Sequence, residues 1–438
     1  MKEFILFVYF IIVIFIGISS FRKIKNNKDF FIAGKNAGVL QVSGSLLASI
    51  LGSSAIIGSV NFAFIKGWAG SWLLLCAALG MTLLYPLINY IKDFKGFNLP
   101  EMLGNFYGNN VKQLASLLIP IAWTGIVASQ IMGAAKIISI LTKFDYTHGV
   151  IISGFVFIVY TILGGQLSII KTDFIQFLFI ILGIVTTYIY ISPYPITINP
   201  LPMINTNFTP MDILVMILSY STTFIVGPDI YSRLFCAKDD KVMKKSIIIT
   251  VLVLLPLAYI LTRIGIYGQE IFSNTDVASN SILLLIAKTK LPNIVSVTLY
   301  FALLSAVISS ADTTLLTASS LFTQVFTKDL HNQKSIFFTR ILTVIFGIFS
   351  ILIAIKMKYI LSTLLSALAI YSGAFIIPTF AGLFGFRAKE KVVILAILTG
   401  GIIALIGKKY GGDIGNYISI SAFFINALIL YIGKKLTN

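Results

Sequence analysis

The chain has 438 residues, of which 57% are hydrophobic and 11% are charged, whereas a soluble domain averages about 25% charged residues. This composition excludes a disordered, coiled-coil or disulfide-rich secreted protein and predicts an all-α polytopic membrane protein. The net charge of +17 is more typical of basic cytoplasmic loops than of nucleic-acid binding, so no nucleic-acid partner is expected.

Apolar stretches of about 20 residues, each long enough to cross roughly 30 Å of hydrocarbon as a helix, recur along the whole chain. They predict thirteen transmembrane helices, at 3–21, 39–66, 68–91, 113–142, 147–165, 172–192, 210–235, 246–267, 293–326, 337–355, 359–385, 392–407 and 414–433. The first stretch is too long for a signal peptide and lacks a small-residue cleavage site, so we interpret it as an uncleaved anchor helix.

Lysines and arginines are distributed unequally between alternate loops. With the N-terminus outside, 22 of them, Arg233 included, fall on the inner side and 9 on the outer side. The positive-inside rule therefore predicts an outer N-terminus and a cytoplasmic C-terminus in the cell inner (plasma) membrane. The outer loop at 193–210 carries five prolines and predicts a rigid linker between two halves of the chain.

Two predicted helices contain residues that favour a break at membrane depth. Within 39–66, Gly52-Ser53-Ser54 is where a helix unwinds most easily, although small residues also line tight helix contacts. In the other helix, Gly227-Pro228 removes a helical hydrogen bond. Each break opens a block of five predicted helices, 39–192 and 210–385, and the two blocks start on opposite sides of the membrane. This arrangement is typical of inverted-repeat secondary transporters, whose sites lie at the breaks.

A third polar region lies deep in the apolar stretch 293–326. Ser309, Asp312 and Thr313 share one helical face, which offers hydroxyl and carboxylate oxygens. Oxygen atoms of these kinds are suitable ligands for a hard monovalent cation. Hydroxyl groups that bond back to their own helix would explain the serine and threonine, but they would not explain Asp312.

These regions resemble the sodium:solute symporter family, which includes bacterial proline, pantothenate and sialic acid transporters and the animal sodium–glucose cotransporters. The resemblance covers nearly the whole chain and runs through Asp29–Lys35, Gln130–Lys136, Tyr160–Gly165, Thr172–Gln176, Asp229–Arg233 and Ile377–Phe384. It implies a single transporter domain over 1–438 that works by alternating access.

The implied fold is a leucine-transporter-type core with discontinuous first and sixth core helices. Its five-plus-five inverted repeats would occupy 39–192 and 210–385. An extra N-terminal helix and basic loop would precede them at 1–38, and two C-terminal helices would follow at 386–438.

The resemblance also assigns site residues. A shared sodium site built from backbone carbonyls and hydroxyls falls on Ala48, Leu51, Ala306, Ser309 and Ser310. A second cation site, present in some members, falls on Asp173, Ser309, Asp312 and Thr313. Asp312 departs from the usual small or hydroxyl residue and could strengthen that site or bring a proton into the coupling. Substrate and gate positions fall on Ser49, Ser53, Ser54, Tyr220, Thr223 and Phe224.

Two of these assignments leave alternatives open. The aromatic residues among the gate positions are equally consistent with packing alone. Ile50 stands where several sugar and proline transporters have Asn or Asp, which argues against a simple transfer of their specificity.

We therefore predict Na⁺-coupled symport of a small organic solute, such as an amino acid, a carboxylate or a vitamin-like acid. The protein would act in the lipid bilayer, where a monomer is sufficient for transport. Proton-coupled symport by the same fold is the alternative, and a membrane-embedded solute sensor is less favoured because no signalling segment is visible. A channel is not favoured either, because no repeated filter or charged ring is visible in the sequence. An enzyme would need a catalytic or metal cluster, which two isolated histidines and two isolated cysteines do not provide.

Overall fold

The structure is a computed structural model that describes residues 26–91, 98–272, 281–327, 334–357 and 359–435, with isolated positions at 11, 15, 24, 94 and 330–332. Within these segments, ten helical stretches are long and apolar enough to cross a membrane. The prediction of an all-α polytopic membrane protein is thus confirmed. The predicted helix at 3–21 lies outside the described residues, and the count of thirteen stays a prediction.

The helices are numbered here in chain order. The first half of the chain contains α1 (Asn27–Ile32), α2 (Val39–Ile50), α3 (Ser53–Lys66), α4 (Trp72–Ile91), α5 (Leu99–Tyr107), α6 (Asn109–Leu141) and α7 (Tyr146–Ile191). The second half contains α8 (Pro210–Met216), a π-helical turn (Ile217–Ser221), α9 (Thr222–Val226), α10 (Pro228–Leu234), α11 (Asp240–Ile271), α12 (Ile282–Thr289), α13 (Asn293–Thr327), α14 (Ser335–Lys356), α15 (Ile360–Leu383), α16 (Glu390–Tyr410) and α17 (Gly412–Lys435).

Both predicted breaks are present. The first separates α2 from α3, where Leu51 leaves the helical conformation (φ −83°, ψ 36°) and Gly52 is extended (φ −60°, ψ 170°). The second separates α9 from α10 at Gly227, which is also extended (φ −66°, ψ 125°). Pro228 is the first residue of α10, a position where its missing N–H removes no helical hydrogen bond.

A bend divides the 46-residue helix α7, which contains the stretches predicted as 147–165 and 172–192. At 1.5 Å per residue such a helix exceeds a hydrocarbon thickness of about 30 Å. Gly165 forms the bend with a φ of 54°, and a Cβ there would lie 2.7 Å from the Phe30 ring. Across the bend, the Tyr160 hydroxyl lies 2.8 Å from Thr172 Oγ1, next to Asp173.

The segment 193–209 contains no helix and lies against the ends of several helices. The Trp68 N–H donates to the Leu201 carbonyl at 2.9 Å, and Trp72 Nε1 donates to the Met203 carbonyl at 3.1 Å. The Glu270 carboxylate at the end of α11 accepts hydrogen bonds from the linker backbone. We call this end of the bundle the linker side.

A buried asparagine attaches the last helix to the core. Pro378 lies inside α15 and has no N–H, so the Ala374 carbonyl one turn earlier loses its helical partner. Asn426 Nδ2 of α17 donates to the carbonyls of Gly373 and Ala374 at 2.9 and 3.2 Å. This amide satisfies backbone acceptors that would otherwise be unpaired in an apolar interior.

Candidate functional site

The first break places backbone carbonyls of α2 opposite hydroxyls of α13. Ser309 Oγ donates to the Ala48 carbonyl at 2.9 Å and to the Ala306 carbonyl at 3.2 Å. Ser310 Oγ donates to the Ser49 carbonyl at 2.9 Å. The structure therefore brings together four of the five residues predicted for the shared sodium site.

Leu51, the fifth of these residues, is fully buried at the end of α2. In a continuous helix the Ala55 N–H would bond to the Leu51 carbonyl, but here it bonds to the Gly52 carbonyl at 3.0 Å. The break therefore frees the Leu51 carbonyl from its helical partner. The five residues offer only neutral oxygen atoms, which is a ligand chemistry that suits Na⁺.

The close approach at the break depends on Gly52. A Cβ at this position would lie 2.5 Å from Ser310 Oγ and 2.9 Å from Gln130 Nε2. Any larger residue would therefore displace the Ser310 hydroxyl and the Gln130 amide that contact the break.

A polar cluster, formed by residues of α2, α7, α10 and α13, adjoins this site. Asp173 Oδ2 accepts a hydrogen bond from Ser45 Oγ and lies 3.5 Å from an Arg233 guanidinium nitrogen, with both charged side chains fully buried. Asp312 Oδ1 accepts a hydrogen bond from the Thr313 N–H at 2.6 Å, and the Asp312 carboxylate interacts electrostatically with Asp173 and Arg233. Asp173, Asp229 and Asp312 all interact electrostatically with this one guanidinium, so it cannot balance every carboxylate around it when they are ionised.

One oxygen of each carboxylate remains available. Asp173 Oδ1 and Asp312 Oδ2 are buried and have no hydrogen-bond partner within the described part of the chain. Buried carboxylate oxygens are costly when unpaired, so these two atoms favour a cation as their partner.

Arg233 corrects one sequence-based assignment, because the charge count placed it in an inner loop. The structure places it in α10, where Nε donates to the Ser45 carbonyl at 3.0 Å and another guanidinium nitrogen donates to the Asp229 carbonyl at 3.1 Å. It also donates to Ser49 Oγ. Helix α10 runs from Pro228 to Leu234, so Arg233 lies in a helix and not in a loop. The predicted helix 210–235 already included this residue.

Gln130 is a second residue whose role the sequence did not reveal. Its Oε1 accepts hydrogen bonds from the N–H (3.0 Å) and hydroxyl (2.8 Å) of Ser53, and its Nε2 donates to Ser54 Oγ at 3.0 Å. This amide therefore holds the first residues of α3. The available signal was an amide side chain near the middle of a predicted transmembrane helix, 113–142.

A cavity of about 60 Å³ lies between the two breaks. Five of the six predicted substrate or gate residues line it, namely Ser49, Ser54, Tyr220, Thr223 and Phe224. Ser53 instead bonds to Gln130. The sequence did not identify four further lining residues, which are Trp123, Asp229, Leu364 and Leu368. The lining also includes Ile50, Gln130 and Ser310.

Aromatic side chains fix the walls of this cavity. The Tyr220 and Phe224 rings are edge to face, with centroids 5.0 Å apart, and Trp123 contacts Tyr371 in the same way at 4.6 Å. The Tyr371 hydroxyl donates at 2.5 Å to the Val226 carbonyl, the last acceptor of α9 before the second break. The second break is therefore supported by a side chain of α15.

The family model of the sodium:solute symporter family matches residues 30–193 and 197–400. The chain belongs to this family. Its relatives include the osmoregulated proline transporter OpuE of Bacillus subtilis, 21% identical over 98% of this chain and 94% of that protein. A sodium/proline symporter of Staphylococcus aureus is 27% identical over 41% of this chain and 37% of that protein.

A solved structure of a Na⁺-coupled sialic acid symporter superposes with a TM-score of 0.83 at 18% identity, covering 99% of this chain and 97% of that one. The symporter thus shares its fold with that protein. It is a multi-pass membrane transport protein rather than an enzyme, and its family supports sodium-coupled solute symport.

Replacing Gly52 tests the close approach at the first break. In Gly52→Ala the new methyl group would displace Ser310 and Gln130, so we expect the protein to lose the thermal stabilisation by NaCl over KCl that a sodium site confers. The readout is the unfolding temperature of the purified protein in each salt.

Gly58→Ala, in the adjoining helix α3, is the matched control, because its nearest neighbour is a flexible Leu361 methyl at 3.3 Å. Equal sodium-specific stabilisation in both variants would contradict the importance of Gly52.

Proposed function

We propose that this symporter couples Na⁺ entry to the uptake of a small organic solute by alternating access. The observation that carries the proposal is the contact of Ser309 and Ser310 with the carbonyls of Ala48 and Ser49 at the first break. The ligands of the ion are then Ala48, Leu51, Ala306, Ser309 and Ser310.

The ion and the solute would share one segment of the chain. Ser310 contacts the carbonyl of Ser49 and also lines the central cavity, as Ser49 and Ser54 do. A sodium ion that orders the break would therefore order one wall of the solute site, which gives the two ligands a positive binding coupling.

The energy available per ion is sufficient for accumulation. One Na⁺ that enters down roughly 100 mV and a tenfold gradient releases about 3.7 kcal/mol. That free energy supports on the order of 500-fold accumulation of a neutral solute.

Among an amino acid, a carboxylate and a vitamin-like acid, the cavity favours a small amino acid. Asp229 provides a carboxylate for an amino group, while the hydroxyls of Ser49, Ser54 and Thr223 provide hydrogen bonds. Proline is the solute named for two of the relatives, but Ile50 lines this cavity where several proline transporters carry a polar residue. We therefore infer an amino-acid substrate that need not be proline.

The membrane arrangement follows from the charge distribution. We propose that the linker side faces outward, with the N-terminus outside and the C-terminus in the cytoplasm, since the unequal distribution of Lys and Arg persists without Arg233. The blocks 39–192 and 210–385 each begin with a broken helix, which supports their assignment as inverted repeats.

A second cation site is supported by the polar cluster. Asp173, Ser309, Asp312 and Thr313 would hold a second Na⁺, with the free oxygens of the two carboxylates as its charged ligands. Arg233 lies against Asp173, so the bound ion would balance the charge of Asp312.

A thermal-shift screen tests the function and the solute class. Amino acids, their N-acetyl derivatives and monocarboxylates are compared in NaCl and in KCl. A free amino acid should stabilise the protein more in NaCl, and its N-acetyl derivative should not, because acetylation removes the positive charge that faces Asp229.

Uptake of the identified solute into vesicles under an imposed sodium gradient completes this test. Binding that ignores sodium, or solute-dependent stabilisation without uptake, would contradict symport.

Ser309→Ala and Ser310→Ala each remove one oxygen ligand of the shared sodium site. Loss of a buried polar contact costs about 1–3 kcal/mol, so the sodium concentration for half-maximal uptake should rise on the order of tenfold. Maximal solute affinity at saturating sodium should change less.

Ser319→Ala is the control on the same helix, since Ser319 Oγ bonds only to its own helix at Leu315. Wild-type sodium activation curves in both site variants would refute the assignment.

Asp312→Asn tests the second cation site. Removal of this charge should lower the number of charges moved per solute, because the second ion would lose one of its two charged ligands. Current and solute flux are measured simultaneously in reconstituted vesicles. An unchanged charge-to-solute ratio with intact transport would leave Asp312 with a structural role.

A further inference from the structure

A second cavity, of about 300 Å³, lies on the linker side of the bundle. It is enclosed by the end of α3, the linker, α8, α15 and the turn between α16 and α17. Its polar lining residues include Lys66, Asn207, Asp212, Ser372, Lys408 and Asn416. Its volume falls at the lower end of the range for small-molecule sites, whereas the central cavity is about 60 Å³.

The two cavities are separate. Leu364 and Leu368 of α15 line the central cavity, whereas Leu365 and Ala369 of the same helix line the second one. Neighbouring residues on a helix point in different directions, so α15 stands between the two cavities. The second cavity therefore does not belong to the sodium-coupled site.

Two lysines line the second cavity, of which Lys66 is half-buried and Lys408 is exposed. Lys66 Nζ donates one hydrogen bond, to the Asn207 carbonyl at 2.5 Å, and an ammonium has three N–H donors. Lys408 makes no hydrogen bond or ion pair within the described residues, although it lies beside the cavity. Both groups thus have donor capacity that the protein itself does not use.

Asp212 is the sole acidic residue among the lining residues, and its oxygens are already engaged. Oδ2 accepts hydrogen bonds from the Thr209 N–H and hydroxyl at 2.9 and 2.8 Å, and Oδ1 accepts one from Asn416 Nδ2 at 2.8 Å. One carboxylate against two ammonium groups leaves the cavity with a net positive charge. An anion is the ligand that balances it.

The rest of the lining is apolar. Phe62 and Phe208 meet edge to face with centroids 5.3 Å apart, and Met216 and Phe423 also line the cavity. We propose that this cavity binds a small organic anion, whose carboxylate or phosphate group lies between Lys66 and Lys408 and whose apolar part lies against the phenylalanines. A free organic anion and the head group of an anionic lipid share this chemistry.

Benzoate is a suitable probe because it combines a carboxylate with an apolar ring. The full-length protein is reconstituted in phosphatidylcholine nanodiscs, and potassium benzoate is titrated against potassium chloride at equal ionic strength without sodium. The shift in unfolding temperature should saturate with benzoate concentration. Because sodium is absent, this result is independent of the proposed symport.

Charge variants locate the site. Lys408→Gln and Lys66→Gln should each weaken benzoate binding about tenfold or more, since each removes a charged hydrogen-bond donor. Lys408→Arg should retain binding. Lys409→Gln is the matched control, because this neighbouring lysine does not line the cavity. Absence of saturable binding to the wild type, or equal binding in Lys408→Gln and Lys409→Gln, would overturn the proposal.

A second series of nanodiscs, which contain an anionic lipid, identifies the source of the anion. Nanodiscs that contain phosphatidylglycerol should show weaker benzoate binding if the lipid head group competes for the cavity. Unchanged benzoate affinity in these nanodiscs identifies a free organic anion as the ligand. Both results support the anion site, and the variants above decide whether it exists.

Discussion

The architecture of this symporter depends on how backbone groups are satisfied where a helix stops inside the membrane. Unpaired carbonyls cannot face hydrocarbon, so a break is tolerated only where other protein groups meet it. At the first break, the hydroxyls of Ser309 and Ser310 donate to carbonyls of α2, and Gln130 engages the start of α3. At the second, the Tyr371 hydroxyl performs this role. Of these groups, Gln130 and Ser310 also line the central cavity.

The buried charges follow a related constraint. A guanidinium at membrane depth requires anionic or carbonyl partners, and Arg233 finds them on α2, α7 and α10. It therefore connects α2 and α10, one segment of each broken helix, to the part of α7 that follows the bend. Asp312 adds a further carboxylate to this group.

Ion coupling, in this view, is a property of one short segment. The residues from 48 to 54 contribute carbonyls to α13 on one side and hydroxyls to the cavity on the other. A ligand bound on either side would change the free energy of the same backbone, and each ligand would then alter the affinity for the other. The cavity on the linker side shares none of these residues, which is why it would bind its anion without sodium.

The sequence by itself determined the membrane class, the approximate positions of the long apolar helices and both breaks, but it did not predict the short helices α1, α5 and α12. These features depend on local properties, namely hydropathy over about 20 residues and the backbone behaviour of Gly52 and of Gly227-Pro228. The likeness to a known family added the residues of the sodium site. Only the tertiary structure decided the partners of Arg233, Gln130 and Tyr371, and only it revealed the second cavity. The physical reason is distance along the chain: Ser309 meets Ala48 across 261 residues, and Arg233 meets Ser45 across 188.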